Sequence, residues 1–420
     1  MSFGQPTPPV SWRTIALTAY GPTALVSIGT GAIVPLVALS ARDLGASLGT
    51  AALIVALAGI GQLIGDLPAG ALAARIGEKY ALMAACAVDA VALLGAYLAG
   101  RADSLLGLGA AVFVTGLANA VFSLARQAYL TEAVPIHARA RAMSTLGGVF
   151  RLGSFIGPFA GALVVSSFSI GAAYAFAAAM SLLAAVLVAF LPDVGRTRRD
   201  VSGDRPAVPQ PSVLSILTRH RRVLLTLGLG VLIISAVRAT RQVIIPLWAE
   251  AVGIGPAATS LIFGISAGVD LLMFYPGGAV MDRFGRVWVA VPSMIIMGLG
   301  LLLLPLTTSA LTITLVACLL GFGNGISSGI VLTLGADTSP DIGRAQYLGG
   351  WRVCADLGNT LGPLIISAIT AIASLMVAAM VMGGLAWVGA AWLARLVPRY
   401  ALPSRRSQAL RAAQAEAGEP

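Results

Sequence analysis

"GLANAVFSLARQAYLTEAVPIHARARAMSTLGGVFRLGSFIGP", residues 116–158, lies over "GFGNGISSGIVLTLGADTSPDIGRAQYLGGWRVCADLGNTLGP", residues 321–363, without a gap at a shift of 205 residues. Asn119 falls on Asn324, Glu132 on Asp337, Pro135 on Pro340, Arg139 on Arg344, and Gly157-Pro158 on Gly362-Pro363. Scattered apolar identities arise by chance in a hydrophobic chain, but charged, Gly and Pro positions kept in order do not. A second pair, offset by 208 residues, joins "AARIGEKY" (73–80) to "MDRFGRVW" (281–288) and sets Pro68 on Pro276, Gly70 on Gly278, Arg75 on Arg283 and Gly77 on Gly285. One structural unit is written twice.

Composition places both copies in a membrane. Hydrophobic residues make up 58% of the 420 and charged residues 10%, with 49 glycines, whereas about a quarter of a soluble domain is charged. The apolar runs reach the ~20 residues that a helix needs to cross a bilayer. About twelve spans are expected, near 14–38, 50–72, 80–100, 104–130, 141–165, 170–191, 222–246, 257–280, 287–306, 309–335, 345–370 and 374–397. The fold class is therefore an all-α polytopic membrane protein. Residues 192–220, polar, Arg-rich and punctuated by Pro, read as a cytoplasmic linker between an N-terminal half (1–191) and a C-terminal half (221–398), with a cytoplasmic tail at 399–420.

Positive loops stay in the cytoplasm. Arg75, Lys79, Arg139, Arg141, Arg283, Arg286 and Arg344 fall in the turns after spans 2, 4, 8 and 10, Arg13 precedes span 1, and Arg399, Arg405, Arg406 and Arg411 lie in the tail. The other side has Arg42 and Arg101, each beside an acid, Asp43 and Asp103. Both termini are expected inside, in a plasma or inner membrane. The net charge of +10 is thereby topological: it allows some attraction to inner-leaflet lipid and excludes a nucleic-acid partner, which would need a soluble basic face. Span 1 lacks the short core and small-residue cleavage site of a secretory signal and is expected to be retained. Cys86, Cys318 and Cys354 fall far apart inside spans, and His137 and His220 are the two histidines, so neither a disulfide framework nor a metal site is expected. No nucleophile elbow, phosphate loop or zinc-ligand pair occurs, and the chain does not read as an enzyme.

Two parallel six-helix repeats resemble the major facilitator superfamily over essentially the whole chain. Its loop between helices 2 and 3 follows G-x-x-x-D-R-x-G-R-R, and "GGAVMDRFGR" (277–286) keeps Gly278, Asp282, Arg283, Gly285 and Arg286. The first copy keeps Gly70, Arg75 and Gly77 but has Ala74 where the family has Asp and Glu78 where it has Arg. Glu132 with Arg139, and Asp337 with Arg344, resemble the family's acid-x6-Arg signature. The resemblance implies that these charges gate the cytoplasmic side, with the first-half latch weakened; the bland reading is that they set topology and anchor loops at the headgroups. "GSFIGPFAGA" (153–162) resembles the antiporter signature of helix 5: Gly153, Gly157, Pro158 and Gly161 match and Ala162 replaces the last Gly. Span 11 repeats much of that pattern, so small-residue packing remains an alternative. Val112 stands where the family's drug exporters often place an Arg in helix 4, and a proton relay through that Arg does not carry over.

Charges inside spans are costly and so mark function. On span 7, Arg238, Arg241 and Gln242 share a face by i, i+3, i+4 spacing, and the resembled fold turns that helix toward its cavity. Arg151 on span 5 and Trp351, Arg352 and Asp356 on span 11 join them as expected substrate or cross-helix contacts. Arg151 and Asp356 are repeat-equivalent and of opposite charge, which suggests direct opposition; Arg352 alternatively pairs with Asp356 at i+4. Asn119 and Asn324 offer hydrogen bonds to substrate or between helices. Asp66, Asp89, Asp270 and Asp356 are the candidate proton carriers, Asp270 and Asp356 foremost, with Asp89 also readable as a structural acid and Asp66 as a brace of the gate. Arg126, low on span 4, reads as a gate residue.

The expected activity is secondary active transport by alternating access, in the form of proton-coupled efflux of amphipathic small molecules or drugs. Proton-coupled uptake of an anionic organic solute is the alternative, and a non-transporting sensor or scaffold a second. The resemblance implies a functional monomer that meets small-molecule substrate, protons and membrane lipid, with no cofactor besides the proton gradient.

Overall fold

The computed structural model describes residues 20–134, 136–190, 212–340 and 342–400. Most of the expected linker, the tail beyond residue 400 and the residues before Tyr20 lie outside these. Twelve helices among the described residues are long and apolar enough to cross a membrane, and no strand occurs among them. The spans are 1 (Gly21–Asp43), 2 (Leu48–Ile76), 3 (Glu78–Arg101), 4 (Leu105–Ala133), 5 (Ile136–Ser167) and 6 (Ile170–Ala189) in the first half. The second half holds 7 (Arg221–Ala251), 8 (Pro256–Phe284), 9 (Val287–Leu303), 10 (Ala310–Ile326 continued by Ile330–Thr338), 11 (Arg344–Ile372) and 12 (Leu375–Tyr400).

The helix ends explain where each span begins. Spans 2, 4, 6, 10 and 12 start on one face with a serine, and Ser47, Ser104, Ser169, Ser309 and Ser374 each accept a hydrogen bond from the backbone N–H three residues on. Span 8 starts there with Pro256 in its first turn. These caps satisfy donors that the helix itself leaves open. On the opposite, Arg-rich face the turns from span 2 to 3 and from span 8 to 9 are made by Gly77 (φ 89°) and Gly285 (φ 107°), a conformation that L side chains resist. These two ends are called the far face and the basic face below.

Two expectations need correcting. Residues Val213–Arg219 form a short helix inside the stretch read as linker. Span 10 is not continuous: "GNGISSG" breaks it after Ile326, and Nη2 of Arg238 donates to the carbonyl and, at 2.8 Å, to the hydroxyl of Ser327 at the break. A guanidinium there takes the place of the lost helical donors, which a broken helix in a membrane requires.

Within each half, small residues let helices touch. A side-chain carbon added to Gly157 on span 5 would sit 2.6 Å from the Ile28 carbonyl oxygen and 2.7 Å from the Ala32 nitrogen on span 1, and one at Gly161 would sit 2.6 Å from the Ala32 oxygen. Gly358 and Gly362 hold the equivalent contacts of span 11 with span 7. The two halves then meet along span 2 with span 11 and span 5 with span 8, and more lightly along span 1 with span 7.

Gly157→Ala should therefore cost ~1–3 kcal/mol through overpacking, read as a lower thermal unfolding midpoint in detergent. Gly148→Ala is the control on the same helix, because nothing lies within 4 Å of the carbon it adds; it should leave the midpoint unchanged or slightly raised.

Candidate functional site

Between the halves lies a cavity of about 520 Å³, the size of a pocket for an organic molecule. Two ion-containing triads stand at its mid-membrane walls, and they are copies of one another. In the first, Nη1 of Arg151 on span 5 donates to Asp270 Oδ1 on span 8 at 2.9 Å, and Asn324 on span 10 donates to Oδ2. In the second, Asn119 on span 4 donates to Gln62 Oε1 on span 2 at 3.2 Å, and Gln62 Nε2 donates to Asp356 Oδ1 on span 11 at 3.3 Å. The 205-residue shift carries Asn119 onto Asn324 and Arg151 onto Asp356, and the 208-residue shift carries Gln62 onto Asp270. The same three positions thus bridge the halves on both sides of the cavity, once as a salt bridge and once as an amide–carboxylate contact.

Each triad has acquired further partners. Asp270 also faces Nη2 of Arg241 at 3.5 Å, and the Arg151 guanidinium lies 4.7 Å from the centre of the Phe274 ring. Arg352 reaches both Asp356 (3.4 Å) and Asp66 on span 2 (3.5 Å), so two carboxylates share one guanidinium across the seam of spans 2 and 11. The Asp66 Oδ2 atom is buried with no partner from a cation or neutral donor among the described residues. Asp89 on span 3 is buried as well and accepts from Ser181 Oγ on span 6 at 2.6 Å and from Thr115.

At the far face the halves are joined. Nε of Arg42 at the end of span 1 donates to both carboxylate oxygens of Glu250 at the end of span 7, at 3.0 and 3.1 Å. Ser367 on span 11 donates to the Gly49 carbonyl on span 2 at 2.7 Å. Toward the basic face no described ion pair crosses between the halves beyond Asp66–Arg352. Phe150, which precedes Arg151 on that side, lines the cavity and is still 42% exposed.

A sequence model of the Major Facilitator Superfamily matches residues 23–240 and again 227–417. The chain belongs to this superfamily. It is 26% identical to the multidrug resistance protein MdtH of Edwardsiella ictaluri over 80% of this chain and 82% of that one. It is also 26% identical to the class C tetracycline resistance protein of Escherichia coli, over 88% and 92%. A crystal structure of the nucleoside transporter NupG matches with a TM-score of 0.70 at 14% identity, covering 90% of this chain and 98% of that one, and so shares the fold. As a superfamily member the protein is a membrane transporter of small molecules and not an enzyme.

The superfamily motifs fall as follows. Asp282, Arg283, Arg75 and Arg344 are exposed at the basic face, and the Arg283 guanidinium lies 5.4 Å from the Phe284 ring centre. Arg286 makes a two-pronged pair with Asp337, Nε to Oδ2 at 2.8 Å and Nη2 to Oδ1 at 3.2 Å, which ties the turn after span 8 to the end of span 10 within one half. Arg139 donates to the Val134 carbonyl at the end of span 4. The side chain of Glu132 lies outside the described residues. A carbon added to Gly278 would meet nothing within 4 Å and one added to Gly70 only Leu124 Cδ2 at 3.6 Å, whereas the turn glycines Gly77 and Gly285 are required by their positive φ. Gly153, Gly157 and Gly161 form the span 1 contact with Pro158 among them.

Several expectations change. Arg151 opposes Asp270 and not Asp356. Arg238 braces span 10, whereas Arg241 and Gln242 line the cavity. Trp351 is buried against Gly335, its indole donating to the Val331 carbonyl at 2.8 Å, and Arg352 is held on the seam of spans 2 and 11; neither lines the cavity. Arg126 lines the cavity, its guanidinium 5.4 Å from both the Phe122 and Phe150 ring centres. Arg42, read from sequence only as a far-side charge, pairs with Glu250 across the halves. Gln62 was the residue missed, and the 208-residue offset, which sets it on Asp270, was the signal.

Removing the carboxylate that Arg151 and Arg241 share leaves buried positive charge uncompensated. Asp270→Ala should destabilise the protein by ~3–5 kcal/mol, whereas Arg42→Ala at the partly exposed far-face pair should cost no more than about 1 kcal/mol. Thermal unfolding of both variants in one detergent decides it, and equal shifts would mean that the Asp270 carboxylate is dispensable.

Proposed function

We propose that this protein exports amphipathic small molecules from the cytoplasm in exchange for protons, by alternating exposure of the central cavity. The observation that carries the reading is a cavity shared between the two halves, joined over at the far face by Arg42–Glu250 and the span 2–span 11 contact, while among the described residues Asp66–Arg352 is the one ion pair that crosses toward the basic face. Positive loops at the basic face make that face cytoplasmic, so the cavity takes its cargo from inside. The printed names of two relatives, a multidrug and a tetracycline resistance protein, support export.

Transport by rocking of two halves needs cross-half contacts of a few kcal/mol that a ligand or proton can shift. Three charges on the seam of spans 2 and 11, Asp66, Arg352 and Asp356, sum to one uncompensated carboxylate. A proton is the smallest cation that neutralises it, and its arrival loosens the hold of Arg352 on one side of the seam. Asp270, already gripped by two arginines and an asparagine, acts instead as a fixed counter-ion, and Asp89 as a structural acid held by hydroxyls.

Cells that express the protein should accumulate less of at least one dye from a panel of anionic, neutral and cationic amphipaths, and a protonophore should abolish the difference. Higher accumulation would reverse the direction, and no difference for any dye would reject transport of amphipaths. Asp356→Asn and Asp66→Asn should each lower gradient-driven export on the order of tenfold, the scale of a typical coupling free energy, while leaving downhill equilibration in proteoliposomes intact. Full gradient-driven export in both variants would refute the coupling assignment.

A further inference from the structure

The cavity wall is charged out of balance. Its lining includes three guanidiniums, Arg126, Arg151 and Arg241, against two carboxylates, Asp89 and Asp270. Asp270 spends its single charge on Arg151 and Arg241 together. Asp89 is held by the hydroxyls of Ser181 and Thr115 and by no described cation. Arg126 has no carboxylate within 4 Å among the described residues; two aromatic faces hold it, and its Nε is buried without an acceptor. Arg241, its guanidinium 5.7 Å from the Phe263 ring centre and its side chain only 11% exposed, likewise buries Nε and Nη1 with no acceptor among the described residues. Buried N–H groups of charged side chains rarely stay unsatisfied, because leaving them so forfeits solvation that nothing replaces.

The lining mixes polar and apolar side chains: the first half contributes Val34, Val37, Val55, Leu93 and Val112 beside its own charges, and the second half adds Gln242, Asp270, Asn324 and Asn359 around Arg241. From this arrangement we infer that the cargo is an amphipathic anion: one carboxylate or sulfonate group docks at the unsatisfied guanidinium of Arg241 and draws on Arg126, while an aromatic or aliphatic body lies on the valines. A guanidinium suits such a group because its forked donors match the oxygens of a planar or tripodal anion. Since Arg241 comes from the second half and Arg126 from the first, a negative charge bound in the cavity is attracted to residues of both halves. The inference rests on the transport reading for its purpose, but the charge preference of the cavity stands or falls separately.

The test is equilibrium binding to the detergent-purified full chain of three probes that share one body: 2-naphthoate, 2-naphthamide and 2-naphthylmethylammonium. Naphthoate should bind tightest and the ammonium weakest. Arg241→Gln should weaken naphthoate about tenfold, the worth of one charge-assisted hydrogen bond, and change the amide by less than about twofold; Arg241→Lys should recover part of the loss. Unchanged amide binding shows that the variant is folded, and Arg126→Gln provides a second site with the same expected pattern. Ammonium binding as tight as naphthoate, equal losses for naphthoate and amide, or no saturable naphthoate binding up to about 1 mM would overturn the inference. Because binding in detergent needs neither a gradient nor a direction, a protein that keeps this order yet exports nothing would discard the export reading alone. An exporter that pumps the ammonium and ignores naphthoate would discard only the anion.

Discussion

The contact on which the architecture turns is the pair of repeat-related bridges at mid-membrane, Arg151–Asp270 on one side of the cavity and Asp356–Gln62 on the other. A duplicated six-helix unit assembles about an approximate two-fold axis, so any position at the interface of one half faces a related interface of the other. Polar groups are expensive there unless they find partners, and the asparagines at 119 and 324 complete each bridge from within its own half. Duplication alone would have put like groups at like places. Divergence has put Arg opposite Asp in one bridge and Asp opposite Gln in the other, and the second bridge consequently recruits Arg352 as its cation.

The basic face shows the same divergence. Arg286 and Asp337 lock the second half's turn to the end of span 10 with both prongs, and both side chains are nearly buried. The offsets of 208 and 205 residues set Glu78 and Glu132 at the corresponding places in the first half. Two acids cannot make that pair. Lys79 instead ties the start of span 3 to the Ala189 carbonyl at the end of span 6. The first copy of the motif thus differs from the second by a change of partner as well as by a lost acid.

The twelve spans, their repeat and the superfamily were legible from residues whose physics is local: apolar length, arginine placement, and Gly or Pro at fixed offsets. The site was legible only where a local rule sufficed. Spacing puts Arg238 and Arg241 on one face, but the break in span 10, which depends on the run Gly325-Ile326-Ser327-Ser328-Gly329, diverts Arg238 to Ser327 and leaves Arg241 to the cavity. Trp351 reads as a substrate or cross-helix contact from its place beside Arg352 on span 11. Its role is to fill the space over Gly335, which no one-dimensional pattern reveals. Gln62 escaped notice for the converse reason: an uncharged residue among apolar neighbours draws attention only once its copy is known to be Asp270.

What holds the far face shut follows from comparing magnitudes. Arg42 and Glu250 are each about a third exposed, and a pair so placed contributes on the order of 1 kcal/mol or less. Spans 2 and 11, by contrast, pack closely enough there that a carbon added to Gly49 would lie 3.1 Å from the Ser367 oxygen and one added to Gly59 would lie 3.1 Å from the Thr360 Cα. Between helices in lipid, where no hydrophobic gain accompanies association, such close van der Waals contact and the hydrogen bonds it permits are the main attraction. The ion pair thus fixes which ends meet, while the small residues of spans 2 and 11 supply the holding energy. That division suits a transporter, because packing over a short stretch of helix can be undone by a rigid rocking of the halves without exposing an isolated charge.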